Sequence, residues 1–199
     1  MMWARPGKYK PRRNGGDGEV EVLVVDEQAD FALDLERWQT LASNVLIAER
    51  VTGQSELTLI FTNELAMSEL NAHFMGKSGP TDVLAFPIDA VEASRTPGPG
   101  AQSFGPTKKP LDISDHPLLL GDVVICPAVA SRQAASHAGD FESEIALLVV
   151  HGILHVLGND HDTSEAQEVM WGLERKHLEA FHWHAPAPSN FRHVPESTQ

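Results

Sequence analysis

Three histidines stand within the eleven residues from His151 to His161, which read HGILHVLGNDH. His151 and His155 are four residues apart, and residues at that spacing lie on one face of a helix, one turn apart. Gly158 follows the last apolar residue of the stretch, where a left-handed glycine ends a helix and turns the chain back. We expect this reversal to bring His161 to the other two imidazoles.

Three imidazoles beside an open coordination position are typical of catalytic zinc, which makes water acidic enough for hydrolysis near neutral pH. Nickel, copper or iron suit the same ligands. The spacing equals that of the metalloprotease motif HExxHxxGxxH, but Gly152 stands where those proteases carry their general-base glutamate. This difference disfavours a peptidase. A closed structural zinc site is the alternative, with Asp160, Asp162 or another histidine as fourth ligand.

The elements around this motif predict an α+β fold. Hydrophobic patterns and capping residues predict strands at Val20–Val25, Leu57–Phe61, Val83–Phe86 and Leu120–Cys126, and helices at Leu33–Val51, Asn63–Phe74, Pro127–Ala138, Phe141–Leu157 and from a cap at Asp162 to about Phe181. We expect a small mixed four-stranded sheet covered by helices, zinc-hydrolase-like, with a three-histidine metal site. Pro80 and Pro87 bracket the third strand and place it near a sheet edge, because proline cannot donate to a ladder.

A chain of 199 residues is long enough for one domain, which we place at residues 19–184. Residues 1–18 are rich in Pro, Gly and basic side chains and predict a disordered arm. A loop rich in Pro, Gly and Ser at about residues 90–115 predicts a flexible insertion. Residues 185–199 contain few apolar side chains and predict a disordered tail.

Cysteine count and charge indicate the compartment and the class of partner. Cys126 is the only cysteine, and we expect it in the core of a cytoplasmic protein, because neither a signal peptide nor a membrane-spanning run is present. The net charge of −13 opposes non-specific binding to nucleic acid. RNA binding would therefore require local cations, among which Lys77 and Arg132 are candidates.

Two further segments carry a family resemblance. Residues 80–87 read PTDVLAFP and residues 120–125 read LGDVVI. Together with the histidine motif, the pair Leu70–Asn71 and Glu144, they resemble the YbeY family of bacterial rRNA maturation factors, which are metal-dependent single-strand endoribonucleases. The resemblance covers roughly residues 20–182.

The resemblance implies that His151, His155 and His161 hold one zinc ion per chain. It also implies an arginine, four residues after the asparagine of the Leu-Asn pair, that acts in RNA cleavage. This chain has Met75 there. Either Lys77 or Arg132 takes over the arginine's role, or cleavage is slow or absent.

Asp82 and Asp160 are candidate proton-transfer residues, because each lies in a motif segment and carries a carboxylate. Their structural alternatives are a turn cap for Asp82 and the orientation of a ligand imidazole for Asp160.

The resemblance implies a zinc-dependent endoribonuclease that acts on single-stranded rRNA in small-subunit maturation and ribosome quality control. It also implies ribosomal proteins or an assembly GTPase as partners and no membrane contact. The alternatives are a non-catalytic ribosome-assembly factor with a structural zinc, and a metal-dependent hydrolase of another substrate.

Overall fold

The structure is a computed structural model that describes residues 20–51, 53–88, 118–159 and 161–193. The elements of these residues follow the predicted order. They are β1 (Val20–Asp26), α1 (Leu35–Ala48), β2 (Ser55–Phe61), α2 (Glu64–Leu70), β3 (Val83–Pro87), β4 (Leu118–Ile125), α3 (Pro127–Gln133), α4 (Phe141–Val156) and α5 (Ser164–Leu178). Short π-helical turns extend α2 over Asn71–Met75 and α5 over Glu179–Trp183, and a 3₁₀ turn, Ala134–Ser136, follows α3.

The four strands form one mixed sheet in the order β1-β2-β4-β3. Strands β1, β2 and β4 are parallel, and β3 pairs antiparallel with β4 at the edge. The α+β class, the mixed sheet and the edge position of β3 are therefore confirmed.

Alternate residues of the strands divide the apolar side chains between two faces of the sheet. The main core contains Leu59, Val123 and most of α4, which is buried nearly all the way round. A smaller cluster forms where Met67 of α2 packs near Leu84 and Val124. Helix α4 therefore lies deep in the molecule, where its polar side chains need partners within the protein.

Side-chain caps define most helix starts. Asn63 begins α2 as predicted, since its side chain accepts a hydrogen bond from the Ala66 amide. The predicted cap at Asp162 is wrong, because the Thr163 hydroxyl accepts from the Ala166 amide and α5 begins one residue later. A threonine at this position caps as an aspartate does, so the pattern did not distinguish the two neighbours.

The part of the predicted disordered tail that the structure describes, residues 185–193, differs from that prediction. Phe191 is only 4% exposed and belongs to the main core. The Arg192 amide donates to the carbonyl of His137. The buried Phe191 ring and the hydrogen bond to His137 hold this proline-rich segment against the domain, which the low apolar content did not indicate.

The predicted arm and the predicted flexible insertion lie outside the described residues. Among the described helices, none combines the length and the apolar character needed to cross a membrane.

Candidate metal centre

The structure brings the three motif histidines together. Each offers one ring nitrogen, and these nitrogens all lie within 4.8 Å of one another. The Nε2 atoms of His151 and His155 are 3.1 Å apart. The His161 ring is stacked near the His151 ring, with centroids 5.6 Å apart. Two ligand atoms from one helix and one from the following turn thus face a common point.

Local backbone chemistry creates this arrangement. Asp140 caps α4 through a hydrogen bond from the Ser143 amide, and the helix then runs without interruption through both of its histidines. At its end Gly158 has φ +87° and its amide donates to the carbonyl of His155. The left-handed turn at Gly158 is confirmed, and it returns the chain so that His161 reaches the first two rings.

Gly152, the residue that replaces the protease glutamate, lies where α4 crosses β4. A Cβ atom at this position would stand 2.4 Å from Cγ1 of Val123. Any side chain would push the helix away from the sheet, because the branched valine has little freedom to move aside. The close helix–sheet packing therefore leaves no room for a glutamate at this position.

A buried carboxylate orients the first histidine. Oε1 of Glu174, on α5, lies 2.7 Å from Nδ1 of His151, and its Oε2 lies 2.8 Å from Nδ1 of His193. Glu174 is 2% exposed. Burial alone raises the pKa of this carboxyl, but the hydrogen bonds and charges of His151 and His193 outweigh burial and hold the pKa below its ordinary value. An ionised Glu174 accepts the proton on Nδ1 of His151 and leaves the lone pair of Nε2 for a ligand.

A cleft of about 110 Å³ opens beside the rings of His151 and His161. Asp82, Gln167 and Trp171 are among the side chains that line it. The cleft thus combines imidazoles, carboxylates and one large aromatic side chain, which is enough to bind a polar molecule next to the histidines.

Asp82 takes the structural role that was weighed for it, and its proton-transfer role stays a prediction. Its Oδ1 accepts from the Val83 amide and the Thr81 hydroxyl, as a turn cap does. Its Oδ2 accepts from Nε2 of Gln133 at 2.6 Å. The same Gln133 nitrogen donates to the buried carboxylate of Glu144 at 2.9 Å. Gln133 therefore bridges the cleft wall to the interior.

Glu144 does not contact the motif histidines through any hydrogen bond among the described residues. It binds the His137 ring and the Ala138 amide, and it thereby satisfies the chain end before α4. Its position two turns before His151 reflects this internal network.

Neither candidate RNA-binding cation lines the cleft, as far as the described residues define its walls. Arg132 is at the end of α3 and pairs with Glu64 at 2.6 Å. Lys77 is exposed in the loop that leads to Asp82. Met75 ends the π-helical turn after α2 and is 56% exposed. Asp160 lies outside the described residues.

Sequence reasoning missed Glu174, Gln133 and His193. A signal for Glu174 was available, because it lies on the same face of α5 as Met170 and Leu178, which are both buried. A carboxylate on an apolar helix face needs a partner, and an imidazole is a suitable one. No comparable pattern marks Gln133 or His193, whose contacts arise from chain segments distant in sequence.

The donor set fits a borderline metal such as zinc. Three imidazole nitrogens converge, and the second nitrogen of the His151 ring is hydrogen-bonded to a carboxylate, as in metal-binding histidines generally. Within the part of the chain that the structure describes, no carboxylate belongs to the histidine group, which argues against a hard cation such as calcium or magnesium.

Comparisons with known proteins agree on one family. The family model described as endoribonuclease YbeY matches residues 23–182. Endoribonuclease YbeY of Frankia casuarinae is 38% identical over 161 residues, which cover 80% of this chain and 73% of that protein. The protein of the same name from Beutenbergia cavernae is 37% identical over 157 residues, which cover 79% and 95%. The matched range contains the three motif histidines and Glu174, and it ends before His193.

A solved structure is also similar. It is a solution structure of a protein from Thermotoga maritima, with 21% identity and a TM-score of 0.48 over 90% of this chain and 99% of that one.

Proposed function

The chain belongs to the endoribonuclease YbeY family, and from this membership and the geometry of the histidine cluster we propose that it is a zinc-dependent endoribonuclease specific for single-stranded RNA. The observation that carries the proposal is the convergence of His151, His155 and His161 beside a cleft, with Glu174 holding the first ring. Its cellular role would be small-subunit rRNA maturation and ribosome quality control in the cytoplasm.

In this proposal His151, His155 and His161 hold one zinc ion. Bound zinc supplies Lewis acidity, which makes water more acidic and withdraws charge from a phosphate. Glu174 keeps the proton of His151 on Nδ1, so that Nε2 stays an acceptor. The apolar side chains of Leu147 and Leu148 in the cleft wall limit the access of bulk water to the imidazoles.

Asp82 is the proposed proton acceptor. It is the carboxylate that shares the cleft with the histidines without touching them through a hydrogen bond among the described contacts. Donors from Val83, Thr81 and Gln133 fix its orientation. Its remaining lone pairs can take the proton of an attacking hydroxyl, from either water or the ribose 2′-OH. Asp160 is retained as a second proposed proton-transfer residue on its place in the motif.

Lys77 and Arg132 are the proposed contacts to RNA phosphates. Lys77 lies five residues before Asp82 in an exposed loop. Arg132 would have to leave Glu64 or bind a phosphate beside it, since that ion pair is exposed and therefore weak. Trp171 offers a ring in the cleft wall on which a splayed base can stack.

Basic ribosomal proteins or an assembly GTPase are the proposed partners. A net charge of −13 repels free RNA but attracts a positively charged protein surface. Such a partner would present the RNA to a chain that binds it poorly alone.

The test is cleavage of an end-labelled single-stranded fragment of small-subunit rRNA by the purified protein. His155→Ala protein purified in parallel and a chelated wild-type sample are the controls, with metal content measured in each. We expect cleavage only by the zinc-loaded wild type, and none of a fully base-paired fragment. Equal cleavage by wild type and His155→Ala would indicate a contaminating nuclease and remove the proposal.

Met75 favours a second candidate, a non-catalytic assembly factor with a structural zinc. No arginine or lysine lines the cleft within the described residues, and methionine cannot stabilise charge on a phosphate. This candidate predicts that wild type and His155→Ala are equally inactive on pure RNA, whereas loss of zinc lowers the melting temperature.

A further inference from the structure

His193 reaches the metal centre from outside the range matched by the family. It lies eleven residues beyond residue 182, where the family match ends. Its side chain is 10% exposed, and its Nδ1 lies 2.8 Å from Oε2 of Glu174, whose other oxygen holds His151. One carboxylate therefore connects the last described residue of the chain to a motif histidine.

Several contacts hold His193 in this place. Its ring stacks on Trp171 with centroids 5.0 Å apart and planes 10° from parallel. The neighbouring Phe191 packs edge-on against both Trp183 and His193. We call residues 185–193 the C-terminal strap.

Backbone amides fasten the strap to the domain at two points and close one turn within it. The Ala187 amide donates to Glu179, the Phe191 amide closes a turn onto Pro188, and the Arg192 amide donates to the carbonyl of His137. The strap is thus docked by contacts that do not involve the His193 side chain, so a change at His193 can be made without releasing the segment.

We propose that His193 is a positioning residue of the metal centre, which acts through Glu174 to hold the His151 imidazole in its metal-binding orientation. The physical reason is that a buried carboxylate oxygen needs a donor. With His193 present, both oxygens of Glu174 have one, and the carboxylate is held from two sides. Without it, one carboxylate oxygen loses its donor and the carboxylate can turn away from His151, which weakens its hold on Nδ1.

The inference rests on the zinc site of the proposed function, and the test separates the two. Two variants separate the hydrogen bond of His193 from its ring stacking. His193→Asn keeps a nitrogen donor near the place of Nδ1 and removes the ring. His193→Phe keeps a flat ring against Trp171 and removes the donor. Arg192→Ala is the matched control. Among the described residues its exposed side chain donates hydrogen bonds to carbonyls of the strap alone, and the amide bonded to His137 remains.

The measurement is the dissociation constant for Zn²⁺, by competition with a chromophoric chelator, at a temperature well below the melting temperature of each variant. The visible spectrum of the Co²⁺-loaded protein reports the ligand geometry independently. We expect His193→Phe to bind zinc about tenfold more weakly, which is the lower end of the effect of residues that support metal ligands. We also expect it to alter the cobalt spectrum. His193→Asn and Arg192→Ala should retain the affinity of the wild type.

Three results would overturn the inference. If His193→Phe binds zinc as the wild type does, His193 only holds the strap, and the zinc site of the proposed function stands. If His193→Asn alone weakens binding, ring stacking on Trp171 matters and the hydrogen bond does not. If the wild type binds no zinc, both the inference and the zinc-dependent function fail.

Discussion

The partner of Nδ1 determines how the His151 imidazole presents its other nitrogen. Glu174 is buried and ionised, and it holds that nitrogen at 2.7 Å. The carboxylate thus fixes both the tautomer and the ring orientation of one motif histidine. At the residue scale, the arrangement of the histidine cluster depends on a side chain outside the histidine motif.

Glu174→Gln should weaken zinc binding by roughly 10- to 100-fold, because the amide keeps the shape of the side chain but loses the charge that fixes the His151 proton. Glu168→Gln is the matched control, since Glu168 lies on the same helix and is exposed. Chelator competition measures both. Unchanged affinity in Glu174→Gln would show that the histidines are oriented without the carboxylate.

His182 introduces a pH dependence of stability away from the metal centre. Its pKa is lowered from 6.5 to about 4, chiefly by burial, while Arg37 and His184 also lower it and Asp140 opposes them. Between these two values the unfolded chain binds more protons than the folded one. Stability therefore falls as the pH drops from 6.5 towards 4, and this contribution is fully present above 6.5.

His182→Gln removes this titration. As the pH falls from about 7 to about 4.5, we expect the free energy of unfolding of the wild type to decrease relative to that of His182→Gln. Urea unfolding at each pH provides the comparison. A difference that stays constant with pH would mean that His182 titrates alike in the folded and unfolded chains.

At the scale of elements, close packing of α4 on β4 positions two of the three motif histidines. Gly152 allows that approach, because a Cβ would collide with Val123. The same glycine occupies the position at which a peptidase carries its glutamate. The close approach at Gly152 and the missing glutamate therefore both distinguish this helix from that of a metalloprotease.

Gly152→Ala should lower the free energy of unfolding by about 1–3 kcal/mol, since overpacking exceeds the gain of up to about 1 kcal/mol in helix propensity. Gly172→Ala is the control, because a Cβ at that helical position meets nothing within 4 Å. We expect the control to be neutral or slightly stabilising. Denaturant unfolding of both variants tests the packing argument, which fails if Gly152→Ala is as stable as the control.

At the scale of the whole molecule, electrostatics oppose the proposed substrate. The chain has a net charge of −13, and one of its candidate RNA-binding cations, Arg132, pairs with Glu64. Affinity for free RNA should therefore be low and only weakly dependent on salt, because few phosphates are neutralised.

Met75→Arg adds a guanidinium at an exposed position near the loop to Asp82. We expect tighter binding of a single-stranded oligonucleotide, with a plot of log affinity against log salt that is steeper by about 0.7, the value for one phosphate contact. Met75→Gln controls for the loss of methionine. An unchanged slope would place residue 75 away from the RNA path.

The sequence alone determined the elements and the three motif histidines, because helical periodicity and the left-handed glycine act over a few residues. Residue spacing within short segments was enough to predict the four strands, the helix through His151 and His155, and the turn at Gly158. Only the tertiary structure decided which distant groups complete the site. Glu174, Gln133 and His193 reach it from three separate segments. Contacts between such segments depend on how helices and strap pack together, and no local pattern encodes that packing.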